Sequence, residues 1–323
     1  MLHQRTAKWN RSNGGRSGFT LTELLVVIAI IAVIAGISLP AIFAARRSFD
    51  QSRLKMEVQS LDDAVKKYFT QYGDYPPDGS SWVICERHLR KAFPEILSTE
   101  LAIIAPSNVN LPVMDRAEAL VFFLGGFSSN KQKPLSGKGG PFINAGTAAA
   151  PSWVLNPNRE NALFEFVPGR LLDQNSNQLP TYNVTEVSSP YTYFDSRTYV
   201  IPRTAGMQLN LFEDSVAGAV RPLLVQSPVP TPVQQAANYE NAKTFQIHSP
   251  GLDGLYGFNN GGPTAGILFN VRGQGFNVNL TTTPQYQSNG AIFAFRGIEP
   301  KNRAVDNVSN CVETTTLGQN TTN

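Results

Sequence analysis

The sequence predicts an α+β protein: a long N-terminal α-helix, with a membrane half and an amphipathic half, packed on an antiparallel β-sheet head that carries large loop insertions. Three observations predict it. Leu24 to Ala45 is a run of 22 residues without a charge; as a helix it rises about 33 Å, close to the roughly 30 Å hydrocarbon core of a bilayer. From Leu54, apolar positions recur at Val58, Leu61, Val65, Tyr68 or Phe69, and Tyr72, which is the spacing of one helical face. The rest of the chain is rich in Gly, Pro, Asn, Ser and Thr and holds short β-type runs bounded by turn residues.

Charge placement explains the first element. The net charge is +3, but Arg5, Lys8, Arg11 and Arg16 stand before Gly18 without a single acid. From Arg46 onward, Lys+Arg and Asp+Glu balance at 23 each. Nucleic-acid binding needs a concentrated basic field, and the body of the chain has none, so no nucleic-acid partner is expected. A basic start followed by an apolar run reads as membrane targeting, with the N-terminus cytoplasmic and everything after Arg46 on the far side. A secretory signal has an apolar core of roughly 7–15 residues and a small-residue cleavage site. This run is longer and lacks that site, so it reads as a helix that remains in lipid.

Glu23 stands at the threshold of the run. A carboxylate deep in a bilayer is costly, and two readings follow. In one, Glu23 is a helix-start acid favoured by the macrodipole. In the other, it awaits a cation inside a low-dielectric assembly. Pro40 lacks a backbone donor and bends or loosens the helix, or is simply a tolerated kink in a membrane helix.

The stretch "GFTLTELLVVIAIIAVIAGISLPA" (18–41) resembles the N-terminal signature of type IV pilins and type II secretion pseudopilins, nearest to the major pseudopilin. The resemblance implies a pilin-like fold and a structural, non-enzymatic filament subunit. It implies cleavage between Gly18 and Phe19 by a prepilin peptidase, N-methylation of Phe19, and assembly through Glu23, paired with the freed amine of a neighbouring subunit. Implied partners are that peptidase, copies of the chain or other pilins and pseudopilins, an inner-membrane assembly platform, and lipid before assembly. Implied location is the bacterial inner membrane, single-pass with a periplasmic head, and then a filament. The chain divides into a leader (1–18), a membrane or filament-core helix (19–45), its amphipathic continuation (46–73), an α+β head (74–312) and a disordered tail (313–323). A head this large also suits a filament-displayed adhesin or ligand-binding module, and an anchored enzyme is a third alternative.

The long helix should run from about residue 20 to 72, roughly 80 Å at the standard rise. "YGDYPPDG" (72–79) ends it, with Gly73 as cap and Pro76-Pro77 preventing resumption. Lys55, Glu57, Asp62, Asp63, Lys66 and Lys67 fall between the stripe positions and are expected in solvent. Further helices are expected at 81–93 and 115–124, the latter capped by Asp115. Strands are expected at 162–167, 191–194, 197–201, 244–248, 266–271 and 291–297, with a long loop at 134–152 and an extended arm at 226–235.

No catalytic constellation stands out. His3 leaves with the leader, and His88 and His248 have no ligand at zinc spacing, so both are expected at the surface. "GKGG" (137–140) lacks the Lys-Ser/Thr ending of a phosphate loop, and Ser249 sits in no G-x-S-x-G elbow. By resemblance, "FQIHSPGLDGLYG" (245–257) matches the calcium loop of the major pseudopilin at Ser249, Gly251, Asp253 and Gly254. Asp306 of "VDNVSN" (305–310) would close the site, with Asn307 where a second acid is expected. Ca²⁺ takes six to eight oxygens; the alternative is a plain Asp-Gly turn. "DQNSNQ" (173–178) starts like an EF-hand loop, but Gln178 and Val184 break the pattern, which leaves an Asx-rich turn. Cys85 and Cys311, the two cysteines, form either one disulfide or two separate thiols.

Overall fold

The computed structural model describes residues 19–106, 113–173, 177–185, 189–203, 206–209, 212–214, 218–223, 239–256, 266–269, 274–279, 285–287, 293–294 and 308–311. Gly18, Asp306, the 226–235 arm and the 313–323 tail lie outside them. By compactness the chain divides into two units, Met1–Phe49 and Asp50–Asn323.

Helix α1 is Leu21–Tyr72 and is unbroken across Pro40. In the first unit every described side chain is exposed, and this stretch is long and apolar enough to cross a membrane. In the second unit Leu54, Val58, Leu61, Val65 and Tyr68 are all buried, so the stripe read from the spacing is the core face, and Tyr68 rather than Phe69 continues it. Gly73, with φ 70°, ends the helix as expected, its N–H bonding the Phe69 carbonyl at 2.8 Å. The solvated side is corrected at three positions. Asp62 is buried, and Lys55 and Glu57 are half-buried, because head segments wrap beyond the apolar stripe and give all three side chains polar partners.

Three shorter helices follow: α2 (Trp82–Ala92), α3 (Ser98–Ile104) and α4 (Glu118–Leu124). The first answers the 81–93 expectation, the second was not foreseen, and the third is shorter than 115–124. Asp115 nevertheless caps it: Oδ1 accepts the Ala117 and Glu118 N–H groups at 2.8 and 2.7 Å, while Glu118 Oε2 accepts the Asp115 N–H at 2.8 Å, a reciprocal capping box. At the other end of α4, the half-buried Arg159 donates to the carbonyls of Val121, Phe122 and Gly126. Burial without a carboxylate pulls this arginine down to about 9; the helix's negative end and three carbonyls hold the cation instead.

Strands are short and antiparallel. β1 (Phe142–Asn144) pairs β2 (Trp153–Leu155), and β3 (Leu171–Leu172) pairs β4 (Thr181–Tyr182). β5 (Thr192–Asp195) is followed by two hairpins: β6 (Val200–Arg203) with β7 (Gly206–Leu209), and β8 (Phe212–Asp214) with β9 (Gly218–Val220). Next come β10 (Phe245–Ser249), then β11 (Gly266–Phe269), β12 (Gln274–Asn279), β13 (Gln285–Gln287) and β14 (Phe293–Ala294), which form one sheet around β12, and finally β15 (Val308–Ser309). The sheet that meets the core has the order β15-β10-β5; its Tyr193, Phe245, Ile247 and Val308 join the same buried cluster as the α1 stripe, Leu89 of α2 and Phe123 of α4.

Several expectations are corrected. Residues 162–167 are not a strand: the N–H groups of Leu163 and Phe164 bond the Leu124 carbonyl at the end of α4, not a neighbouring strand. Residues 196–198 are a 3-10 turn whose cap is the Asp195 side chain, accepting from Arg197 N at 3.0 Å. The expected loop at 134–152 carries most of the β1–β2 hairpin, closed by Ala145 N to Ser152 O at 2.8 Å. His88 and His248 are buried, not exposed. Cys85 and Cys311 are free thiols and make no disulfide: Cys85 sits in the core beside the Gly79 backbone, whereas the Cys311 Sγ lies 3.0 Å from Ser309 Oγ. Burial raises both thiols, Cys311 to about 12.

Candidate assembly site at the start of the first helix

The first turn of α1 is organised by Thr20 and Glu23. The Thr20 N–H donates to Glu23 Oε2 at 2.8 Å, and the Thr20 hydroxyl donates to the same oxygen at 2.8 Å. In return, Thr20 Oγ1 accepts the Glu23 N–H at 3.2 Å. A hydroxyl has one proton and two acceptor sites. With its proton on the carboxylate, Thr20 must accept from Thr22 Oγ1, which lies 3.1 Å away. The Thr-x-x-Glu order of residues 20–23 is thus a capping box, and it satisfies helix-start N–H groups that otherwise lack partners. This local role of Glu23 is more specific than the macrodipole reading. Phe19 precedes the box and is exposed; Gly18, the other half of the expected cleavage site, lies outside the described residues.

Farther along, α1 is fixed to the head by polar contacts. Glu57 receives four hydrogen bonds: from Arg170 Nη1 and Nη2 at 2.7 and 3.0 Å, and from the hydroxyls of Tyr182 and Tyr191 at 2.7 Å each. The Arg170 guanidinium carbon also lies 4.3 Å from the Tyr182 ring centroid, a cation–π contact. Burial opposes ionisation of Glu57, but Arg170 and the two hydroxyls outweigh it and hold the carboxyl below its usual range. A second set of contacts closes the end of α1. His88 Nε2 lies 2.7 Å from the Tyr68 hydroxyl and Nδ1 3.4 Å from Asp74 Oδ2. Arg197 bonds that same Asp74 oxygen at 2.9 Å and Asp195 Oδ2 at 2.6 Å. Burial pushes His88 down to about 4 against the pull of Asp74, and burial raises Asp195 to about 7 despite Arg197. The last described strand is also tied to α1: Lys55 Nζ donates to Ser309 O at 3.4 Å, and Asn310 Nδ2 donates to Asp62 Oδ1 at 2.8 Å.

The expected calcium loop is a turn closed by its own groups. Ser249 is buried and its Oγ accepts from Gly251 N at 3.3 Å; the exposed Asp253 accepts from Leu255 N at 2.9 Å through Oδ1. Gly251 and Gly254 take positive φ, 76° and 73°. Asp306 and Asn307 lie outside the described residues. Calcium takes six to eight oxygens from carboxylates, carbonyls and water; Asp253 and Ser249 are the expected side-chain ligands that lie within the described residues. Among the described residues no group of three or more His, Cys, Asp or Glu could hold a metal. At 173–178 the Asp173 carboxylate accepts from Asn177 N and Gln178 N, four and five residues on, at 3.2 and 3.0 Å; Asn177 Oδ1 accepts from Leu179 N at 2.9 Å, the spacing of an Asx-turn, and Gln178 has φ 66°.

Residues 13–39 match the prokaryotic N-terminal methylation motif. At its N-terminus the chain is type IV pilin-like. A type IV major pilin of Neisseria gonorrhoeae is 38% identical over 68 residues, which are 20% of this chain and 40% of the relative. A type IV major pilin of Myxococcus xanthus is 35% identical over 66 residues, 20% of this chain and 30% of the relative. The type II secretion system core protein G of Aeromonas hydrophila is 31% identical over 61 residues, 19% of this chain and 43% of the relative. The chain therefore spans less than half the length of these pilin relatives. No solved structure matches it. Thr20, Glu23 and the apolar run as far as Leu39 fall inside the matched motif.

Proposed function

We propose that the chain is a subunit of a type IV pilin-like filament: a type II secretion pseudopilus or a related pilus. The observation that carries this reading is the methylation motif over residues 13–39, within which Glu23 is held at the first turn of α1 and opens the uncharged run Leu24 to Ala45. In this reading a prepilin peptidase cuts between Gly18 and Phe19 and methylates Phe19. The helix holds the subunit in the inner membrane with the head on the periplasmic side. An assembly platform then draws it into contact with other copies, where Glu23 meets the N-terminal amine of a neighbour. Water is excluded there, so the opposite charges attract strongly, and an unpaired Glu23 would be heavily penalised. The role is structural, with no reaction assigned to the head.

The test is intact mass of the membrane-extracted protein, co-expressed with its peptidase. A mass of residues 19–323 plus one methyl supports the reading; an uncut chain refutes it. A second reading makes the head an adhesive module displayed by the same filament. The observation favouring it is the exposed tip of the β1–β2 hairpin: Ile143 to Ser152 is exposed throughout and uncharged. Deleting residues 146–150 would then abolish surface adhesion while leaving filament yield intact. Loss of yield with unchanged adhesion would exclude this second reading.

A further inference from the structure

We propose that Asp253 is a site of self-modification: its carboxyl closes on the Gly254 amide and the residue becomes isoaspartate, whereas the same dipeptide at Asp78-Gly79 is locked against the reaction. The inference goes beyond the filament reading and stands without it. Asp-Gly occurs at 78–79 and at 253–254, so the sequence treats the two alike and the fold separates them.

The reaction needs a carboxyl carbon beside the next amide, room for a five-membered ring, and water. In the first step the Gly254 nitrogen attacks Asp253 Cγ: an N–Cγ bond forms, and the amide proton and the carboxyl OH leave as water. In the second step water adds to the main-chain carbonyl of the ring and breaks its bond to nitrogen. The main chain then runs through Cγ, and the former main-chain carbonyl is a free carboxylate. One water leaves, one enters, and nothing is oxidised or reduced. Asp253 is exposed, and its Oδ1 accepts the Leu255 N–H at 2.9 Å. That is the spacing of an Asx-turn, which folds the carboxyl back over the Asp253–Gly254 peptide bond. The Gly254 N–H donates to no described residue, and glycine has no Cβ to obstruct the ring.

At 78 the same spacing, Ser80 N to Asp78 Oδ1 at 3.1 Å, is closed in. Asp78 is fully buried. Ser80 Oγ also holds Oδ1, at 2.5 Å, and Thr198 Oγ1 holds Oδ2 at 2.6 Å. The carboxyl therefore turns onto Gly79 only by breaking bonds to two segments. Gly79 itself is packed on Met114, whose Cγ would lie 2.3 Å from an added Cβ. In the turn at 253, isoaspartate adds one main-chain carbon between anchors: Leu255 N bonds Pro250 O at 3.1 Å, and Ser189 Oγ bonds Gly254 O at 2.6 Å.

The experiment incubates the full chain in detergent, folded and in denaturant, in mildly acidic heavy-oxygen water for several weeks. Electron-transfer fragmentation of the 78 and 253 peptides then distinguishes isoaspartate from aspartate and reads the oxygen taken up. In the folded chain, isoaspartate carrying one heavy oxygen is expected at 253. Position 78 should react about a hundredfold more slowly or less, because it waits on an open state populated at about one part in a thousand or below. In denaturant the two should react at similar rates. Asp253→Glu, which keeps the carboxylate but would need a larger ring, should take up no heavy oxygen there. An unchanged position 253 in the folded chain, with reaction in denaturant, overturns the proposal, since the turn then protects the residue. Equal reaction at 78 and 253 in the folded chain overturns it too, as does undiminished heavy-oxygen uptake in Asp253→Glu.

Discussion

Replacing Glu57 by alanine should be among the most damaging single changes in the head. The perturbation strands four donors at once: two arms of Arg170 and the hydroxyls of Tyr182 and Tyr191. Removing one partner of a buried ion pair costs about 3–5 kcal/mol, and each buried hydroxyl left without an acceptor costs about 1–3 kcal/mol. These contributions overlap, because the Arg170 and Glu57 side chains keep 10% and 16% of their exposure and water can enter the vacated space. We therefore expect a net loss of about 3–5 kcal/mol, a large fraction of the 5–15 kcal/mol that typically holds a domain together. In a domain of this size that corresponds to a fall of roughly 10 °C in Tm. The assay is near-UV circular dichroism of the full chain in detergent, followed through thermal unfolding. Glu57→Gln retains one acceptor and should lose less. Arg170→Met, added to Glu57→Ala, should restore part of the loss because it removes the stranded cation. A fall of less than 1 kcal/mol for Glu57→Ala, or strict additivity of the two substitutions, would refute the reasoning. The carboxyl also titrates below its usual range in the folded state, so its contribution is fully present above pH 4.5 and is lost as pH falls through the lowered folded value. Below pH 4.5 the Tm of Glu57→Ala should thus depend less on pH than that of wild type.

The buried histidines give a second pH window. Burial holds His88 and His248 near 4 and 3, so both favour the neutral form, and their stability is present above pH 6.5 and lost as pH falls from 6.5 toward 4. Asp195, raised to about 7, works in the opposite direction, so the denaturant midpoint should drop between pH 6.5 and 4, and more steeply in Asp195→Asn; a flat wild-type profile would contradict this. For the turn at 249–255, chelator should leave Tm within about 1 °C of the value in added calcium, since the turn is closed by its own hydrogen bonds. A larger rise with calcium would show that groups outside the described residues complete an ion site.

The long helix was legible because hydropathy and 3.6-residue spacing are local properties: Leu54, Val58, Leu61 and Val65 are all in the core, and Gly73 stops the helix. What lay beyond local reading was the fate of polar residues between those positions. Glu57 looks solvated until Arg170, Tyr182 and Tyr191 return to it from more than a hundred residues away. Asp62 is likewise buried, with Asn310 reaching one carboxylate oxygen and Lys66 pairing with the other. His88 turned inward since Tyr68 and Asp74 occupy its two ring nitrogens. The aromatic run at 162–167 had the composition of a strand, but Leu163 and Phe164 found a helix end before they found a strand. Conversely, Gly, Ala and Pro between 145 and 151 masked a hairpin whose strands are only three residues each. At the candidate site, Glu23 was evident as a lone charge, whereas Thr20 carried its signal openly in the Thr-x-x-Glu order, a local pattern overshadowed by the apolar run behind it.

The strand β15 has a consequence for how the chain matures. It supplies the edge of the central sheet and, through Asn310, a contact to Asp62 that is 248 residues earlier. A polypeptide that emerges N-terminus first therefore cannot finish its head until almost all of it has been delivered. Products truncated before residue 308 would present β10 with an open edge, a template for unwanted pairing, and would leave Asp62 without its amide. The fold thus includes a check on its own completeness: an unfinished subunit bares the β10 edge that a finished subunit conceals.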